Sequence, residues 1–216
     1  MTSNIYNSLD KEWDKLISKH KYDFYNLRIY SHLDARKING DAKLFHIYGK
    51  EYSLMVPLII KKIPSNISSR GIKLFEATSP YGYPGILFNS LIEDKKKSFR
   101  LALEELIQTL KKESICNASI RLHIFFNSEV NILKDYGEII FKGETVWIDL
   151  TKSDSERFND IRKNNRTVIS KLINRKATLC LDNQLNKVDR FIEIYNQNMK
   201  YLEVESIYFY NKDYFY

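Results

Sequence analysis

Cysteine is nearly absent from the chain. Cys116 and Cys180 are the two in 216 residues, and neither sits in a CxxC pair. A disulfide framework is excluded, and a reducing compartment is expected. The four histidines, His20, His32, His46 and His123, do not cluster with cysteines or carboxylates at metal-ligand spacing, so no zinc motif is present. The N-terminal residues Met1, Thr2, Ser3 and Asn4 contain no apolar core of a signal peptide. The longest apolar run, 54–60, is interrupted by Pro57 and is far too short to span a bilayer. Two glycosylation sequons, at Asn66 and Asn117, carry no weight without secretion. There is no P-loop, no dinucleotide glycine fingerprint and no G-x-S-x-G elbow, so nucleophilic serine or cysteine chemistry has no motif behind it.

Apolar residues make up 44% of the chain and charged residues 28%, the balance of an ordinary globular protein rather than a disordered one. The formal net charge of +7 and a pI near 9.1 favour anionic partners: phosphates, nucleotides, nucleic acid or an acidic membrane face. Fifteen tyrosines supply both core and surface phenols.

Periodicity predicts a helix over 8–20, capped by Ser8 or Asp10, with Leu9, Trp13, Leu16 and Ile17 on one face. Strands are predicted over 42–48 and 51–63, joined as a hairpin at Gly49-Lys50, with Pro57 marking a bulge or an edge. A polar loop over 66–70 leads to a strand over 72–77. An amphipathic helix is predicted over 98–113, a strand over 118–126, a short helix over 130–133, and strands over 138–141 and 145–150. The alternation implies a mixed α/β (α+β) domain, a sheet covered by helices. A single long basic helix is predicted over 153–176, a short strand near Leu179 and another helix over 188–202. The change of character puts a domain boundary near residue 150, giving domains 1–150 and 151–216.

Three segments carry information. Residues 79–85 place two prolines and two glycines within one turn, so it cannot be regular structure, and it displays Tyr81 and Tyr83. Those hydroxyls and rings suit a ligand, although turn chemistry alone accounts for the prolines and glycines. The basic helix carries Arg162, Lys163 and Arg166, then Lys171, Arg175 and Lys176. Arginine grips phosphate with two donors and lysine adds a mobile charge, while a solvated basic face is the alternative. The helix bearing Phe191, Ile194, Tyr195, Asn198 and Met199 on one face reads first as packing against a sheet.

Taken in order, these segments resemble the FemAB-like aminoacyl and peptidyl transferases of the GNAT acyltransferase type. The residues are Asp23-Phe24-Tyr25, Met55-Val56-Pro57-Leu58, Ser79-Pro80-Tyr81-Gly82-Tyr83, Trp147-Ile148-Asp149-Leu150, then Arg162-Lys163 with Arg166, Ile169 and Lys171. The series closes on Phe191, Ile194, Tyr195 and Met199, with Tyr208 and Tyr210. The chain departs from the pattern at Lys176-Ala177, where a glycine is usual, and at Tyr201-Leu202, where Arg-Asn is usual.

The resemblance implies a GNAT-like, largely antiparallel mixed sheet flanked by helices in residues 1–150. It implies the beginning of a second such domain, cut short, in 151–216. It also implies transfer of an acyl or aminoacyl group, from acyl-CoA or aminoacyl-tRNA as co-substrate, to an amine of a peptidoglycan, polysaccharide or other cell-envelope precursor. Such an enzyme is cytoplasmic, at the inner membrane face, with a phosphate-bearing or lipid-linked precursor and tRNA as partners, and with no resident metal or cofactor. Amine attack needs a proton acceptor, a role given to Glu76. Tyr81 and Tyr83 would orient substrate, and Arg162, Lys163 and Arg166 would hold its phosphates. Two competing readings are a non-catalytic RNA- or nucleotide-binding module and an inactive truncated remnant.

Overall fold

The protein was analysed as a computed structural model that describes residues 2–64, 73–126 and 129–216. It divides into two units, one ending at Phe141 and the other beginning at Lys142.

The first unit begins with strand β1 (Thr2–Asn7), helix α1 (Glu12–Ile17) and helix α2 (Arg28–Lys37), followed by strands β2 (Asp41–Tyr48) and β3 (Tyr52–Lys62). Strand β4 (Phe75–Thr78), strand β5 (Leu87–Ser90), helix α3 (Lys95–Lys112), strand β6 (Ile115–Ser119) and helix α4 (Val130–Leu133) complete it. The sheet runs β1-β2-β3-β4-β6, with β5 also pairing with β3. All its pairings are antiparallel except β4–β6, the parallel pair that α3 connects. The fold is therefore mixed α/β, a largely antiparallel open sheet flanked by helices.

Strand alternation builds the two cores. Phe45, Ile47, Leu54, Val56, Leu58 and Ile60 face one side, where Phe99, Ala102, Leu103 and Leu106 of α3 cover them. Ala42, Leu44, Met55 and Ile59 face the other side, under Trp13 and Ile17 of α1 and Ala35 of α2. Each helix thus buries one stripe against one face of the sheet, and each sheet face is apolar where a helix lies on it.

Pro57 explains a break in the sheet. Gly49 N donates to Tyr52 O, so the even-numbered residues of β3 turn their backbone groups toward β2. Ile63 N donates to Leu74 O and Leu91 N to Glu51 O, so the odd-numbered residues turn theirs the other way. On that side β4 pairs with Ile59–Lys62 and β5 with Tyr52–Met55, leaving 56–58 between them. A proline has no N–H to give a ladder, and Pro57 stands where no ladder partner takes one.

Several elements differ from the sequence-based expectation. The helix expected over 8–20 is shorter, and β1 precedes it, paired along its length with β2. Helix α2 was not anticipated, because its buried residues Ser31, Asp34 and Ala35 give no apolar stripe. The strand expected over 118–126 begins earlier and ends at Ser119, since β4 leaves the pairing after Thr78. Residues 138–141 and 145–150 are not strands: Ile140, Phe141, Val146 and Trp147 are exposed and join no ladder among the described residues. The polar loop expected over 66–70, and Ile72 at the start of the next strand, lie outside the described residues.

In the second unit the basic helix is two helices, α5 (Asp154–Asp160) and α6 (Lys163–Asn174). Ile161 and Arg162 between them have extended ψ values of 138° and 140°. Ser153 and Glu156 form a reciprocal capping box at the start of α5, and the Arg166 Nη1 donates to Asn159 O at its end (2.7 Å). The short strand expected near Leu179 is absent; that residue is fully exposed. Helix α7 (Val188–Tyr201) matches its expected span. The last residues fold back on it: Tyr195 OH donates to Tyr208 O (2.7 Å), Lys212 pairs with Asp189 (2.8 Å), and Phe215 packs edge-on to Tyr195.

Candidate functional site

Residues 79–85 fill the interval in which the strand opposite β3 leaves the ladder, between Thr78 and Leu87. The departure is fixed by polar contacts at both ends. Ser79 N donates to Ser119 O (2.8 Å), and the Ser79 hydroxyl accepts from Arg121 N (2.9 Å). Gly85 N donates to Arg121 O (3.0 Å). A Cβ on Gly85 would lie 2.9 Å from the His123 backbone nitrogen, and its φ of +62° is costly for other residues.

Buried polar side chains hold the middle of the turn. Asp34 of α2, 6% exposed, accepts from Tyr81 N at 2.7 Å. Asn26 is fully buried and donates to Pro84 O at 2.7 Å, while its own carbonyl accepts from the Trp13 indole N–H at 2.9 Å. Tyr30 OH donates to Tyr81 O at 3.0 Å. Burying such groups is unfavourable unless they are paired, so each pairing specifies one geometry for the turn.

Aromatic and cationic groups surround it. Tyr25 stands edge-on to Tyr83 at 5.9 Å and to Tyr30 at 5.6 Å. The Tyr25 ring also fills the space beside Gly82, whose φ is +96°. Arg121 lies over the Tyr81 ring at 5.3 Å and Lys37 at 5.9 Å, both within cation–π range. Burial lowers the Lys37 pKa, and the Asp34 carboxylate partly opposes that shift. Below the turn, His123 Nδ1 accepts from Phe125 N (2.9 Å) and Phe126 N (3.1 Å). The proton therefore resides on Nε2, which faces Asp23 Oδ2 at 3.3 Å.

Of the residues singled out in the sequence, Tyr81 and Tyr83 stand together on this turn, Tyr81 45% exposed and Tyr83 partly buried. Glu76 is on β4, exposed, in register with Lys61. Arg162, Lys163 and Arg166 belong to the second unit, at the start of α6, where Arg166 spends one donor on the end of α5. The sequence reading missed Asp34, Lys37, Asn26 and Arg121. The Ser31–Asp34 spacing along α2 was the available signal, since residues three apart share a helix face. Among the described residues no three metal-ligating side chains cluster, and no helix is long and apolar enough to cross a membrane.

No family model, curated protein or solved structure matches this chain.

Proposed function

We propose that the chain is an N-acyltransferase of the FemAB-like, GNAT type, passing an acyl or aminoacyl group to an amine of a cell-envelope precursor. The observation that carries the reading is the interrupted strand opposite β3. It leaves the ladder at Thr78, beside the parallel pair β4–β6, and rejoins it at Leu87. Acyl transfer needs donor and acceptor held in line, and an interval between two strand segments is a cleft that aligns them. The order of elements also supports it: one strand, two helices, four antiparallel strand segments, then a helix leading to a parallel strand.

In this reading Tyr81 and Tyr83 orient the substrate at the turn. Glu76, exposed in register with Lys61, takes the proton of the attacking amine, and Lys37 and Arg121 bring positive charge over the Tyr81 ring. Arg162 and Lys163 carry the phosphate-binding role in the second unit, with Arg166 setting the joint between α5 and α6.

The test supplies acyl-CoA or aminoacyl-tRNA with amino-sugar and peptidoglycan-precursor acceptors, and follows amide formation by mass spectrometry. The reading expects a product whose yield falls at least about tenfold in Glu76→Gln. It also expects phosphate-dependent precursor binding to weaken in Arg162→Ala and Lys163→Ala. Tight RNA binding with a steep salt dependence and no amide product would instead favour an RNA-binding module.

A further inference from the structure

Outside this turn, two imidazoles converge on one hydroxyl oxygen. The His20 Nε2 lies 3.1 Å from Ser53 Oγ, and the His46 Nε2 lies 3.0 Å from the same oxygen. His20 follows α1, His46 is on β2 and Ser53 is near the start of β3. Alternation brings His46 and Ser53 to the sheet face that α1 covers, the face of Leu44 and Met55. Asn89 of β5, in register with Ser53, donates its side-chain amide to Lys19 O at 3.3 Å, which ties the segment carrying His20 to the sheet. The His46 ring is stacked on Tyr48 at 4.6 Å. All three residues line an open cavity of about 640 Å³, large enough for a small organic molecule.

Proton counting assigns their roles. A serine hydroxyl has one hydrogen, so it donates to one imidazole and accepts from the other. One ring therefore presents a bare Nε2 to Ser53, and the other presents an N–H. Burial pushes both rings down to about 4, so both are neutral near pH 7 and the one with the bare Nε2 faces the hydroxyl unprotonated.

We propose that Ser53 is an acylatable hydroxyl, with one of the two histidines as its base, in a pocket that takes a small carboxylic ester or thioester. Ser53 Oγ attacks the carbonyl carbon while its proton passes to the bare Nε2. The tetrahedral adduct expels the alcohol or thiol, which leaves with that proton. Water then attacks the acyl-serine, giving one proton to the same nitrogen, and that proton returns to Ser53 as the carboxylic acid departs. The sum is ester plus water to acid plus alcohol. The second ring, through its N–H, holds the oxygen in place for attack. This site shares no residue with the turn, and the inference is independent of the N-acyltransferase reading.

The experiment treats the intact chain with a fluorophosphonate probe and with p-nitrophenyl acetate, and locates the label by peptide mapping. The expected result is a single label on Ser53 and a burst of about one p-nitrophenol per chain, both abolished in Ser53→Ala. Labelling should slow by about 10²–10⁴-fold when the basic histidine is replaced by alanine, and less for the other. Mapping on the unsubstituted protein keeps the test decisive if a variant fails to fold. A label elsewhere, no label, or a Ser53 labelling rate unchanged in both His20→Ala and His46→Ala overturns the proposal.

Discussion

The Asp34 carboxylate accepts from the Tyr81 backbone N–H at 2.7 Å, across 47 residues of sequence, and so ties helix α2 to the turn that interrupts the sheet. The same carboxylate raises the pKa of Lys37, which burial otherwise lowers. One side chain therefore both fixes the turn and opposes the downward pKa shift of Lys37.

Asp34→Ala is expected to cost about 1–3 kcal/mol, the loss of a hydrogen bond from a largely buried group. Urea denaturation would read this as a lower midpoint at unchanged slope. In Asp34→Asn, the Lys37 pKa should fall further, because the opposing carboxylate charge is gone while burial remains. Titration of the Lys37 side chain by NMR gives the direction.

Gly82→Ala is expected to destabilise the chain by about 1–3 kcal/mol, since it puts a Cβ on a backbone with φ of +96° and within 2.2 Å of the Tyr25 ring. Part of that cost is steric and belongs to the ring. In a Tyr25→Ala background the same substitution should cost measurably less, and a double-mutant cycle separates the two contributions. Additivity of the two substitutions would mean that the ring does not set the cost.

Acid should weaken the fold through His20 and His46. Both are held near 4 against an ordinary 6.5, chiefly by burial, with His20 and Lys19 adding to the shift of His46. The folded state keeps both rings neutral, and the unfolded chain takes up protons first as pH drops. Their contribution is fully present above pH 6.5 and is lost between 6.5 and about 4, at about 1.4 kcal/mol per pH unit for each ring. Denaturation midpoints measured over this window should depend less steeply on pH in His46→Gln.

Arg166→Ala should loosen the joint between α5 and α6 by removing the donor to Asn159 O. The loss is that of an exposed hydrogen bond, about 0.5–1.5 kcal/mol. Hydrogen exchange should quicken around Ile161 while α7 keeps its protection. Arg166→Lys should not restore it fully, because an ammonium on a longer, more mobile stem does not reproduce the guanidinium geometry.

Much of the first unit was legible because its signals are local. The β2–β3 hairpin follows from alternation and Gly49, and α3 from an apolar stripe spaced for a helix. Helix α4 and helix α7 fell where periodicity put them. What was not legible depends on pairing at a distance. β1 is short and half-exposed, and only its partner β2 makes it a strand. Residues 138–141 have strand-like composition but join no ladder among the described residues, which no window of sequence reveals. The turn bearing Tyr81 and Tyr83 was visible from its prolines and glycines. Its clamps were not, because Asn26, Asp34 and Arg121 are scattered along the chain and meet only once the sheet forms. Ser53 carried no motif for the same reason: its two histidines come from 33 residues upstream and 7 residues upstream.

Pro57 also dictates how residues 79–85 are secured. Its ring leaves no amide hydrogen on the edge that faces the interval, so that stretch of β3 brings no donor to the turn. The turn is fastened instead from outside the ladder, by Ser119, Arg121, Asp34 and Asn26. Its shape is thus a product of chain stretches far apart in sequence rather than of sheet regularity.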